Sequence, residues 1–100
     1  MGFEVTIVDL AGQYDVELRG TLNYKASDKF LSLLATTPRG SCFDVDLSRV
    51  EDVDSSGLGM FLMLREHAGG RNEHVVLRNP NQAVATVLRT ADFETLFTFE

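Results

Sequence analysis

The 100-residue chain has one cysteine, no tryptophan and only two prolines. A lone Cys42 forms no internal disulfide and supplies no paired-cysteine metal spacing. Basic residues are scarce: nine Lys and Arg stand against fifteen Asp and Glu, a formal net charge of −6. That balance repels nucleic-acid phosphates and anionic lipid, so neither is expected as a partner. A long hydrophobic run is missing too. The longest, Leu58 to Leu64, counts seven residues with Gly59 included, against the roughly 20 a membrane-spanning helix needs. Met1 to Asp9 alternates apolar and acidic residues, with neither the basic nor the apolar region of a leader. These absences predict a single soluble, cytoplasmic domain over residues 1–100, too short for a dinucleotide-binding fold or a kinase.

What is present is a clear change of period along the chain. Phe3, Val5 and Ile7 alternate with Glu4, Thr6 and Val8, as a half-buried strand does. After an Ala11-Gly12 turn, Tyr14, Val16 and Leu18 alternate in the same way, which predicts an antiparallel hairpin ended by Gly20. Ala26, Phe30, Leu33 and Leu34 then mark one face of a helix starting near Tyr24. Phe43, Val45 and Leu47 predict a third strand. A second helix is expected from Asp54-Ser55-Ser56-Gly57 to about Ala68, stopped by Gly69-Gly70. His74 to Leu77 reads as a strand. Pro80 suits the first turn of a third helix, with a face of Ala83, Val84, Val87, Leu88 and Ala91. Leu96, Phe97 and Phe99 close the chain as a last strand. The order β-β-α-β-α-β-α-β implies an α/β fold: a mixed sheet with an N-terminal antiparallel hairpin and about three main helices, on one side or both.

The segment Asp54 to Leu64 departs from plain core design. Two glycines, Gly57 and Gly59, sit in the first turns of a helix, each costing about 1 kcal/mol relative to Ala. Either another backbone packs closely there or something large approaches the helix start. Leu58, Leu62 and Leu64 read as core. Met60 and Met63 are turned about 60° from each other, so one of these adaptable side chains is expected at a partner interface. Ser55 and Ser56 stand at the positive end of the helix dipole. An N-cap accounts for one polar residue but not for the whole Asp-Ser-Ser-Gly cluster. A phosphate there would be held by free backbone N–H groups, which makes the cluster a candidate phosphorylation site.

Asp54-Ser55-Ser56-Gly57-Leu58-Gly59, following an alternating strand, resembles the central motif of the STAS domain, the fold of bacterial anti-sigma factor antagonists. Gly20-Thr21-Leu22-Asn23 looks like that family's Gly-x-Leu-Asp turn, with Asn23 keeping the geometry and losing a charge. Phe43 to Leu47 with Val50 and Val53, then Asn79-Pro80, Val84, Val87, Leu88, Ala91-Asp92-Phe93 and Leu96-Phe97, are similar to its remaining elements. The resemblance implies a partner switch. The unphosphorylated protein would bind an anti-sigma factor that is also a serine kinase of the histidine-kinase-like ATPase type. Phosphorylation would release it, and a PP2C-type phosphatase would reset it. The acceptor carries over to Ser55, with Ser56 as its neighbour and second candidate. Asn23, Asp54, Gly57, Leu58, Gly59, Met60 and Met63 would then face the partner.

Other chemistries fit less well. Asp44, Asp46 and Ser48 match the opening of a calcium loop, but Arg49 stands where its glycine is required and Ser55 where its bidentate Glu should be. His67 and His74 have no recognised metal spacing and read as exposed loop histidines. Cys42 reads as a small buried hydrophobe. No Gly-x-Ser-x-Gly elbow is present, so an enzyme is not expected, nor a metal or a cofactor. The serious competitor is a second kind of binding module. STAS-like single domains also serve as accessory subunits of transport ATPases, without phosphorylation.

Overall fold

A computed structural model describes residues 2–100, so Met1, the first residue of the alternating N-terminal stretch, lies outside the described residues. Five strands and three α-helices follow in the expected order. The strands are β1 (Glu4–Asp9), β2 (Gln13–Leu22), β3 (Cys42–Val53), β4 (Val75–Arg78) and β5 (Thr98–Phe99). The helices are α1 (Ser27–Ala35), α2 (Ser55–His67) and α3 (Gln82–Thr90). The sheet order equals the chain order, β1-β2-β3-β4-β5, with β1–β2 antiparallel and every later pair parallel.

That order answers the question of one face or two. Each parallel crossover is right-handed by default, and each moves one strand further in the same direction. All three helices therefore fall on the same face of the sheet. The burial pattern agrees: Val16, Leu18, Phe43, Val45, Leu47, Val75 and Leu77 point into the helical layer and are buried. Their alternates Thr6, Val8, Asp15, Glu17, Asp44, Asp46 and Arg78 line a hollow of about 370 Å³ on the open face. There Arg78 reaches Asp44 at 2.5 Å and Glu100 at 2.9 Å. The Asp44 carboxylate, first by hydrogen bond and then by charge, holds the Arg78 guanidinium above its ordinary pKa.

Several local expectations are corrected. Gly20 does not end β2. It bends the strand at φ +105°, with register shifts on either side, and the strand runs on to Leu22. An added Cβ there would lie 2.9 Å from the Gly2 carbonyl oxygen, so the bend also admits the N-terminal backbone. β3 continues past Leu47 to Val53, and the bulge resets its burial so that Val50 and Val53 face inward. Pro80 precedes α3 instead of opening it, because Asn81 is the cap and accepts from Val84 N at 2.8 Å. Ala83 is exposed, leaving Val84 and Leu88 as the buried face of that helix. Phe97 follows a 3-10 turn (Phe93–Thr95), outside the two-residue β5. His67 is buried, its Nε2 lying 2.8 Å from the Thr37 carbonyl oxygen and 3.1 Å from Thr37 Oγ1. His74 is half-buried against the Ala68 carbonyl, and Cys42 is half-buried.

Asn81 holds two ends at once, since its Nδ2 also donates to the Val50 carbonyl at 3.0 Å. Asn81→Ala removes a helix cap and the bond to the Val50 carbonyl. Denaturant unfolding should show a loss of about 1.5–3 kcal/mol, with the slope against denaturant unchanged.

Candidate functional site

The site is built at the end of the sheet where β2 and β3 finish side by side, with Leu22 paired to Val53. Each strand then turns into a helical segment. After β2, Asn23 caps a 3-10 turn (Tyr24–Ala26), its Oδ1 accepting from Lys25 N at 2.9 Å. After β3, Asp54 caps α2, its Oδ1 accepting from Gly57 N at 3.1 Å. Asn and Asp are suited to this task because a short side-chain acceptor reaches the otherwise unpaired N–H groups of a helix start.

The two turns are locked together by backbone. Asp54 N donates to the Leu22 carbonyl at 3.3 Å. Gly57 packs directly on that same carbonyl: a Cβ there would overlap the Leu22 oxygen and lie 2.9 Å from Val53 Cγ1. Close approach of another backbone is thus the reason for the first glycine. Gly59 is different. Nothing lies within 4 Å of where its Cβ would be, and it is half-exposed. Its missing side chain leaves a flat step on the outer surface of α2.

Ser55 and Ser56 occupy the first helical turn and both are exposed. Ser55, Gly59, Leu62 and Glu66 recur at i, i+4, i+7 and i+11, one line along the outward face. Leu62 and Met63 are each 43% exposed on that side. The inward face carries Gly57, Met60, Phe61, Leu64 and His67.

This separates the expected site residues. Asn23, Asp54, Ser55, Ser56, Leu58, Gly59 and Met63 come together around the start and outer side of α2. Met60, only 3% exposed, does not: it belongs to the core and has no surface to offer a partner. Gly57 is buried as well, so its part is to seat α2 on the turn. Leu62, expected in the core, is on the surface, and Leu58 is half-buried. With an apolar side chain at every position from Leu58 to Leu64 except Gly59, spacing alone did not say which face turns inward; the seating of Gly57 on Leu22 decides it. Two further exposed residues join the neighbourhood, Tyr24 at 68% and Leu31 at 47%. Leu31 was legible, since it lies about 100° off the α1 face marked by Phe30; Tyr24 gave no signal beyond adjacency to Asn23.

Four acidic residues, Asp46, Glu51, Asp52 and Asp54, precede Ser55 in sequence. Glu51, Asp52 and Asp54 are exposed near the helix start. Asp46 is not among them. It points to the open face of the sheet, where its Oδ1 accepts from Ser48 N.

With this geometry in view, the comparisons are concordant. The family model described as Mlab, STAS domain, matches residues 6–98. A STAS-domain-containing protein of Pseudomonas aeruginosa is 38% identical over 85 residues, covering 82% of each chain. Among solved structures, the anti-sigma factor antagonist SpoIIAA in its unphosphorylated form superposes with a TM-score of 0.76 at 15% identity, over 97% of this chain and 88% of that one. An anti-sigma factor antagonist from Mycobacterium paratuberculosis gives 0.73 at 21% identity, over 98% and 85%. A putative one from Thermotoga maritima gives 0.74 at 23%, over 97% and 84%. At these identities the structural likenesses speak to the fold. The family match spans nearly the whole chain: this protein belongs to the STAS domain family and has the SpoIIAA-like fold.

Proposed function

We propose that this protein is an anti-sigma factor antagonist-like regulator whose binding to a partner is switched by phosphorylation of Ser55. The observation that supports it best is the exposed Ser55 hydroxyl on the first turn of α2, in line with Gly59 and Leu62 on the outward face. Unphosphorylated, this face binds an anti-sigma factor that doubles as a serine kinase of the histidine-kinase-like ATPase type. Phosphorylation ends the complex, and a PP2C-type phosphatase restores it. Ser56 is the second candidate acceptor.

The physics of such a switch is local. A phosphate adds about −1.5 to −2 charges. On Ser55 it meets the positive end of the α2 dipole and the unpaired N–H groups of the first turn, so the domain keeps its fold. The cost falls on association. Glu51, Asp52 and Asp54 already make that surface negative. Burying a further dianion without a matching cation costs several kcal/mol, enough to abolish a micromolar complex.

Incubation with ATP and the cognate kinase should add one phosphoryl group, localised to Ser55 by mass spectrometry and lost in Ser55→Ala. In calorimetric titration against the same kinase, Ser55→Asp should bind at least about tenfold more weakly than wild type, and Ser55→Ala as tightly as wild type. Equal affinity of all three would sink the switch. A wild-type chain that takes no phosphoryl group would instead fit the accessory subunit of a transport ATPase.

The two glycines give a second test, one that separates stability from binding. Gly57→Ala should cost about 2–3 kcal/mol of unfolding free energy, through overpacking against Leu22. Gly59→Ala should stabilise the fold by about 0.5–1 kcal/mol in the same measurement, yet weaken the kinase complex by filling the flat step on α2.

A further inference from the structure

Seven large apolar side chains are exposed among the described residues, and four of them, Tyr24, Leu31, Leu62 and Met63, lie on α1, its preceding 3-10 turn and α2. The other three, Ile7, Val8 and Leu10, belong to β1 and the hairpin end. The position of the first four around their helices is fixed by what surrounds them. On α1, Lys29 turns toward β1, its Nζ donating to the Phe3 carbonyl at 2.8 Å, and Phe30 and Leu33 are buried. The outward side of α1 and of the 3-10 turn before it carries the exposed Tyr24, Asp28 and Leu31, and α1 packs beside α2. On α2, Arg65 marks the flank away from α1, because its Nε donates to the Leu96 carbonyl at 2.9 Å. His67, bonded to Thr37 just past α1, marks the flank toward α1. Ser56, Gly59 and Met63 lie on that second flank.

Two ridges thus run side by side, Tyr24–Asp28–Leu31 and Ser56–Gly59–Met63, with the side-chain-free Gly59 lowering the wall between them. Each ridge extends over eight residues, about 12 Å of helix. Three carboxylates border the seam, those of Asp28, Asp54 and Glu66. All three are exposed, and none forms an ion pair among the described residues.

We infer that this seam between α1 and α2 receives an amphipathic helix of the partner, about two turns long, whose apolar stripe packs between Leu31 and Met63 and whose flanking Lys or Arg side chains meet Asp28, Asp54 and Glu66. A helix is the complementary element because two parallel ridges with a lowered wall offer a groove for the ridge of a third. The unneutralised carboxylates select basic flanks. An apolar patch of this extent beside a negative rim is a partner-binding surface in kind. The inference rests on the partner-binding reading above and extends it from α2 to α1, naming the chemistry of what binds.

The test places p-benzoylphenylalanine singly at Leu31, at Met63 and, as a control on the opposite face, at Val8. Cells expressing each full-length variant are irradiated and the crosslinked peptides are sequenced. The expected result is one segment of one protein crosslinked from both Leu31 and Met63 but not from Val8, with an apolar stripe of helical period flanked by Lys or Arg. A synthetic peptide of that segment should bind the wild-type chain in fluorescence anisotropy, and at least about tenfold more weakly to Leu31→Glu and to the Asp28→Lys, Glu66→Lys double variant. Silence at Leu31, an acidic or extended segment, a second copy of this chain, or unchanged affinity of both variants would overturn it. The two readings fail separately. A partner crosslinked from Met63 alone and shed on Ser55 phosphorylation keeps the switch and removes the seam. A helix held equally by the phosphorylated and unphosphorylated chain keeps the seam and removes the switch.

Discussion

One backbone carbonyl organises the candidate site of this molecule. The Leu22 oxygen accepts the Asp54 N–H and lies against the bare Cα of Gly57. Through it the turn after β2 and the start of α2 become one unit. Leu22 itself is fully buried and paired with Val53, so the carbonyl cannot shift without disturbing the sheet. Both caps depend on this contact for their relative placement: Asn23 on its 3-10 turn and Asp54 on α2. A serine on the first turn of α2 is therefore held on a rigid support, and a charge placed on it changes the surface without loosening what lies beneath.

The outer side of α2 runs against stability. Gly59 lacks any packing reason, and Leu62 and Met63 leave much of their apolar surface in water. Each departure is small alone. On α2 they gather on the outward side beside Ser55, while the inward face packs Met60, Phe61 and Leu64 tightly, as the binding role proposed above requires. The opposite face of the sheet is mixed: Asp15, Glu17, Asp44, Asp46 and Arg78 line it together with Thr6 and the exposed Val8.

Much of this was legible in the residues. Alternation in Val5–Ile7 and Val16–Leu18 marked the hairpin, and the helical face of Ala26, Phe30 and Leu33 marked α1. The Asp-Ser-Ser-Gly cluster located the start of α2, with Asp54 as its cap. What escaped has physical causes. β3 appeared to end at Leu47 because a bulge breaks its period, and nothing local shows that β2 continues to pair beyond it. Gly20 signals a break, yet a positive φ inside a strand serves a bend equally well. On α2, Met60 and Leu62 exchanged their expected places because a helix apolar on all sides does not state its own orientation. His67 looked like a loop residue, since its partner Thr37 lies thirty positions away in sequence.

The agreement between chain order and sheet order bears on how the molecule assembles. Every strand has its neighbour in the sheet as its neighbour in sequence, separated by at most one helix and its loops. No strand waits for a distant segment to be inserted between two already made. Ordering can therefore advance from the hairpin outward, one helix-strand unit at a time, each adding apolar surface to a nucleus already present and keeping loop-closure entropy small. During synthesis the same direction applies, because each new strand emerges after the edge it must join. The last increment is the two-residue β5 with Phe97 and Phe99, which closes over β4 and shields its exposed edge.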